Sequence, residues 1–142
     1  TKIFSKNNNY FFDDYAHHPT EIQSILAGVK NVHKDKEIIS VFEPHRYSRV
    51  LSLKKEFAKS FINSNLVLLC PIYSAGEKRD RKYNINDFAK LIVKLSKTQV
   101  IIIQNENEIE KYFKKNLNQN RIIIGMGAGS ISKYMRDLKT VL

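Results

Sequence analysis

Strand-length aliphatic runs alternate with stretches of helical period along the whole chain, and this alternation restricts the fold more than any other feature. Residues 37–42, 66–70, 100–103 and 121–124 are short and almost continuously apolar, the pattern of strands covered on both faces. Between them Ile22, Ile25, Leu26 and Val29 recur at the i, i+3, i+4, i+7 spacing of one buried helical face, behind a capping-box match at Thr20-Glu21-Ile22-Gln23. Further helices are expected from about Ser48 or Ser52 through Ile62, and over residues 86–96, 107–116 and 130–138. An opening strand at 2–6, a polar turn at Asn7 to Asn9 and a second strand at 10–14 suggest an antiparallel hairpin at one edge. The fold class read from this order is α/β: a Rossmann-like, mostly parallel sheet with helices on both faces. At 142 residues the chain is read as a single domain, 1–142, with no internal repeat or linker.

The longest aliphatic runs, such as Ile101 to Ile103, fall far short of the 18 or more residues a membrane span needs. The first residues do not read as a secretory signal, and a lone Cys70 inside an apolar run suits a reducing compartment. A cytoplasmic location is the expectation. The net charge of +10 raises nucleic acid as a partner. Against it, Lys outnumbers Arg 18 to 6, beside 13 Asn and 17 Ile, which reads as a compositional bias. Lys90, Lys94 and Lys97 also lie at helical spacing beside Leu91, Ile92 and Leu95, where a solvated face is expected. Nucleic acid is therefore disfavoured.

Ligands of open α/β sheets collect beyond the carboxyl ends of the strands. Three segments there are chemically loaded: residues 13–19 (DDYAHHP), 43–49 (EPHRYSR) and 125–130 (GMGAGS). Two carboxylates and two histidines within residues 13–18 suit a metal site, a general-base site or a ribose contact. Adjacent histidines point apart in an extended chain, which disfavours chelation by both. No metal site is assigned. His17 and His18 are the catalytic candidates, although His18, preceding Pro19, can equally serve only the helix entry. Arg46 and Arg49, three apart at a helix start, are expected on one side, where guanidinium forks and the positive helix end would suit a carboxylate or phosphate.

The GMGAG string is not a dinucleotide fingerprint, because Ser130 takes the third glycine position and only 13 residues follow Gly129. Its glycines still permit a tight turn and close backbone approach. No GxxxxGK[ST] phosphate loop occurs. The chain is thus expected to complete a site whose other half lies elsewhere.

In this order and at these spacings, DDYAHHPTEI (13–22), FEPHRYSR (42–49), YSAGE (73–77) and GMGAGSIS (125–132) resemble the C-terminal domain of the Mur ligases over essentially the whole chain. Within that family the resemblance is to the branch that adds L-alanine to UDP-N-acetylmuramate. It implies an ATP- and Mg2+-dependent reaction in which the muramoyl carboxylate becomes an acyl phosphate attacked by the alanine amine. It further implies N-terminal and central domains outside this chain, the central one holding most of the ATP and Mg2+ contacts, so that the domain alone would be inactive. Carried over by motif, Asp14 would contact the nucleotide, Tyr15 and His17 would border the amino-acid pocket, and His45, Arg46 and Arg49 would hold its carboxylate. His18 would serve the same cleft or only the helix entry.

The chain departs from the family pattern at Glu43, where Gln is usual, at Ala16 for Gly, at Ser74 for Pro, and in the basic run 78–82. Two alternatives stand beside the first reading. One is the related ligase that recycles murein tripeptide, which tends to lack the His-Arg-Tyr-Ser-Arg run; the other is a basic anion- or nucleic-acid-binding module, whose affinity would fall steeply with salt.

Overall fold

The computed structural model describes residues 1–117 and 120–142. Strands β1 (Lys2–Lys6) and β2 (Asn9–Asp14) form the expected antiparallel hairpin. Asn7 and Asn8 both take positive φ, 53° and 63°, as a two-residue turn matched to strand twist requires, and asparagine tolerates that geometry. The chain continues through α1 (Pro19–Val32), β3 (Glu37–Phe42), α2 (Tyr47–Ser52), α3 (Lys54–Lys59), β4 (Leu66–Leu69), α4 (Ile85–Ser96), β5 (Gln99–Ile102), α5 (Glu106–Lys115), β6 (Arg121–Met126) and α6 (Ile131–Val141). The six strands form one sheet in the order β1-β2-β6-β3-β4-β5, parallel everywhere except the hairpin.

Both faces are covered, which is why the strand sequences are continuous rather than alternating. Ile38 and Phe42 of β3 face Leu26, Phe57, Phe61 and Phe88 from α1, α3, α4 and the turn after α3. Ile39 and Val41 face Phe113, Met135 and Leu138 from α5 and α6. Ser40, buried on the first face, pairs its hydroxyl with that of Ser64 at 2.8 Å, so no polar atom is stranded there. Among the described residues no helix is long and apolar enough to cross a membrane.

Two local expectations are corrected. The single helix from Ser48 or Ser52 to Ile62 is two short ones, reset at Leu53 (φ −119°, ψ 30°); they start after Arg46 and Leu53, and neither serine caps one. The capping box sits two residues earlier than Thr20. Pro19 favours the first helical position, and the Glu21 carboxylate accepts from the backbone N–H groups of His17 and His18 at 3.3 and 3.1 Å.

Strand β6 enters last, between β2 and β3. The connections leaving β2 and β3 cross the face of α1 and α3, whereas the one leaving β6 crosses the opposite face to α6. Neighbouring connections that part in this way open a crevice at the carboxyl ends of the strands, and the three loaded segments meet there.

Candidate functional site

Beyond the end of β3 the pairing with the β4 side persists for one more step. The N–H of Arg46 donates to the carbonyl of Tyr73 at 2.9 Å, and that of Tyr73 donates to the carbonyl of Pro44 at 2.8 Å. This clamp stacks the His45 ring on Tyr73, with centroids 5.5 Å apart and planes 18° from parallel. His17 meets His45 edgewise at 5.6 Å, and Tyr15 meets His17 at 5.6 Å. Four rings from three segments distant in sequence therefore form one row, with Tyr15 at its outer end, 71% exposed.

The same clamp holds Arg46 at φ 70°, ψ 132°, a conformation at which glycine is the ordinary residue. Strain of this kind costs about 1–3 kcal/mol and persists only where surrounding contacts enforce it. Arg46 is thus the residue before α2 rather than part of it, and its side chain is exposed, whereas Arg49 in α2 is half-buried. The α2 amino end is not available to a ligand anion as expected, because the Glu77 carboxylate accepts from the Ser48 N–H at 3.1 Å and from the Ser48 hydroxyl. Those bonds hold the Glu77 carboxyl below its ordinary range.

Two buried polar atoms in this cluster lack a protein partner: Nδ1 of His45 and Nη1 of Arg49. An unmatched buried donor is costly, so these two mark where an outside group would be satisfied. Burial first, then the neighbouring Arg49, His17 and Arg46, lowers the His45 pKa from 6.5. His17 donates from Nδ1 to the carbonyl of Tyr15 at 2.8 Å, which leaves Nε2 as the nitrogen free to accept a proton. His18 is exposed at the start of α1 and does not join the row.

The two adjacent aspartates separate by face. Asp13 accepts from the Ser132 hydroxyl at 2.6 Å and lies 3.8 Å from Arg136, so α6 occupies it. Asp14 uses Oδ1 to accept from the Ala16 N–H at 2.8 Å, and both aspartates line a cleft of about 240 Å³ with Thr1, Tyr15, Gly127 and Ser132. Among the described residues no three His, Cys, Asp or Glu side chains are grouped as a metal would need.

Glu43, which opens the loaded segment 43–49 and departs from the family pattern but was given no role, is 4% exposed at the end of β3. Its two oxygens accept from the Ser130 hydroxyl and, at 3.2 Å, from the Ile131 N–H. Burial raises its pKa above 4.5 despite those bonds. A raised folded-state pKa means stability present below pH 4.5 that is lost as pH rises through the folded value. Glu43→Gln, able to donate to Ser130 and accept from Ile131, is expected to raise the melting temperature at pH 7. The gain should shrink towards pH 4.5, as calorimetry across pH would show. Tyr73 was equally unassigned; nothing in a loop sequence signals a ring stacked on His45.

Residues 1–129 match the family described as Mur ligase, glutamate ligase domain. The UDP-N-acetylmuramate–L-alanine ligase of Pelagibacter ubique is 46% identical over 141 residues, covering 99% of this chain and 30% of that protein. The corresponding ligase of a Sulfurihydrogenibium species is 37% identical over 141 residues, with 99% and 31% covered. Among solved structures, the UDP-N-acetylmuramate–alanine ligase of Thermotoga maritima superposes with a TM-score of 0.74 at 24% identity, and a murein peptide ligase of Psychrobacter arcticus with 0.78 at 20%. Each covers 99% of this chain and 28% of the other, and at these identities the likeness carries the fold. The chain spans about three tenths of the length of the curated relatives it matches.

Proposed function

Because the chain belongs to the Mur ligase family, as its glutamate ligase domain, we propose that it is the amino-acid-admitting domain of an ATP-dependent ligase joining L-alanine to UDP-N-acetylmuramate. The observation that carries this reading is the pair of unmatched buried atoms, His45 Nδ1 and Arg49 Nη1, beside the exposed Arg46. A carboxylate set there would satisfy Arg49 and be flanked by a second cation. Alanine offers only an ammonium, a methyl and a carboxylate, so its carboxylate must supply most of the orienting interaction.

In this assignment Arg46, Arg49 and His45 hold the carboxylate and Tyr15 and His17 border the amine. Nε2 of His17 is the atom suited to take a proton from the ammonium, since the attacking nitrogen must be the free amine. His18 stays at the helix entry. Asp14 faces the nucleotide from the neighbouring cleft. The γ-phosphoryl of ATP passes to the muramoyl carboxylate, and the amine then displaces phosphate as the amide forms. Both the UDP-sugar site and most ATP and Mg2+ contacts belong to domains outside this chain.

The test is phosphate release by the full-length protein with ATP, magnesium and UDP-N-acetylmuramate. Release that requires L-alanine and yields the alanyl product supports the reading. Release that requires a muramyl-type tripeptide instead, in place of alanine, would assign the chain to a recycling ligase.

A further inference from the structure

The carboxylate of Glu43 touches none of the groups assigned to substrate, yet it is the most buried acid of the crevice. It bridges two segments that the proposed site needs in fixed relation. Its own backbone leads directly into Pro44, His45 and Arg46, and its N–H donates to the carbonyl of Met126 at 3.0 Å. Its side chain reaches across to Ser130 and Ile131, on the far side of the glycine turn after β6.

That turn is packed too closely for a side chain at either of its two glycines. A Cβ on Gly127 would stand 2.8 Å from Ile131 and 3.0 Å from the Glu43 carbonyl oxygen. On Gly129 it would stand 2.4 Å from the Tyr73 ring and 2.8 Å from Glu43 Oε1. Gly129 is thus the point on which both the Glu43 carboxylate and the Tyr73 ring bear, and Tyr73 in turn stacks on His45. A displaced turn leaves Tyr73 without its backing, and His45 without its stack.

We propose that Glu43 is a positioning residue: by tying the glycine turn to the exit of β3, it fixes Tyr73 and through it the orientation of the His45 ring. The proposal rests on the alanine reading above only for the name of the substrate that senses His45. The contacts themselves do not depend on it. Tyr73, 41% exposed, has room to swing outwards once the turn moves, so the stack has to be held from behind.

The experiment compares Glu43→Ala, Glu43→Gln and Ser130→Ala in the full-length protein, with two readouts. In steady-state kinetics, Glu43→Ala is expected to raise the L-alanine KM about three- to fivefold with the ATP KM unchanged. Ser130→Ala, which keeps the Ile131 bond, should raise it less, and Glu43→Gln should restore it. By NMR of labelled histidine, the His45 signal should shift in Glu43→Ala and not in Glu43→Gln. Both variants remove the Glu43 charge, so a shift seen in Glu43→Ala and not in Glu43→Gln reports ring movement rather than lost charge. Should Glu43→Ala fail to fold, Ser130→Ala carries both readouts. Equal rises in both Michaelis constants, or an unmoved His45 signal, would overturn the proposal. A protein that does not use alanine at all refutes the substrate reading alone, and the NMR readout still decides the role of Glu43.

Discussion

Replacing Arg49 or Arg46 by Ala in the full-length ligase is expected to raise the KM for L-alanine at least about tenfold, with the larger effect at Arg49. Removing one partner of a desolvated charge pair costs roughly 2–5 kcal/mol, and tenfold corresponds to about 1.4. Arg49 is half-buried with Nη1 unmatched, whereas Arg46 is exposed and partly screened, which sets the order. Lysine should rescue either position only in part, since it keeps the charge and loses the planar fork. Arg46→Gly separates function from fold, because glycine relaxes the φ 70° backbone while deleting the guanidinium. It should lose alanine affinity as Arg46→Ala does without losing thermal stability. If both Ala variants kept a normal alanine KM and failed with ATP, the arginines would be nucleotide ligands.

The layers of this fold were legible because burial on both faces writes itself into the strands: Ile38 to Phe42 and Ile122 to Ile124 admit no solvated side. The reset at Leu53 was not legible, since Val50 and Phe57 keep helical spacing across it and both are buried. In the site, strings of rare residue types pointed to Tyr15, His17, His45 and the arginines, and the fold brings the segments that carry them together. What strings cannot carry is which neighbours a loop brings together. Glu43 is one acid after a strand until β6 is known to lie beside β3, and Tyr73 is one ring in a polar loop until Arg46 is known to bond its carbonyl. The arginines show the converse: three-residue spacing suggested one helical face, and the structure sets Arg46 outside the helix, with Glu77 on the amino end meant for the ligand. The division between Asp13 and Asp14 was recoverable in principle, because alternate residues of a strand face opposite sides. Phe11 packs towards α6, so Asp13 does also, and Asp14 does not.

That division makes Asp14→Asn a clean substitution, and it is expected to raise the KM for ATP about five- to tenfold while leaving the alanine KM near normal. Oδ1 of Asp14 is engaged by the Ala16 N–H, a bond the amide oxygen of Asn can accept equally well, so the turn leading into Tyr15 and His17 survives. The change falls on the second oxygen of a residue that lines the cleft beside Gly127. As a carboxylate oxygen it accepts from a ribose hydroxyl with the strength of a charged acceptor, roughly 1.5–3 kcal/mol against 0.5–1.5 for a neutral bond. As an NH2 group it can only donate, so the hydroxyl must turn or lose its partner. The difference of about 1–1.5 kcal/mol gives the stated factor. Asp13→Asn, by contrast, changes a carboxylate already engaged by Ser132 and Arg136 at the wall of the same cleft, and should raise the ATP KM less than Asp14→Asn does. Initial rates with each substrate varied in turn would decide it: a loss confined to alanine would move Asp14 to the amino-acid pocket, and equal losses from both aspartates would remove the distinction between them.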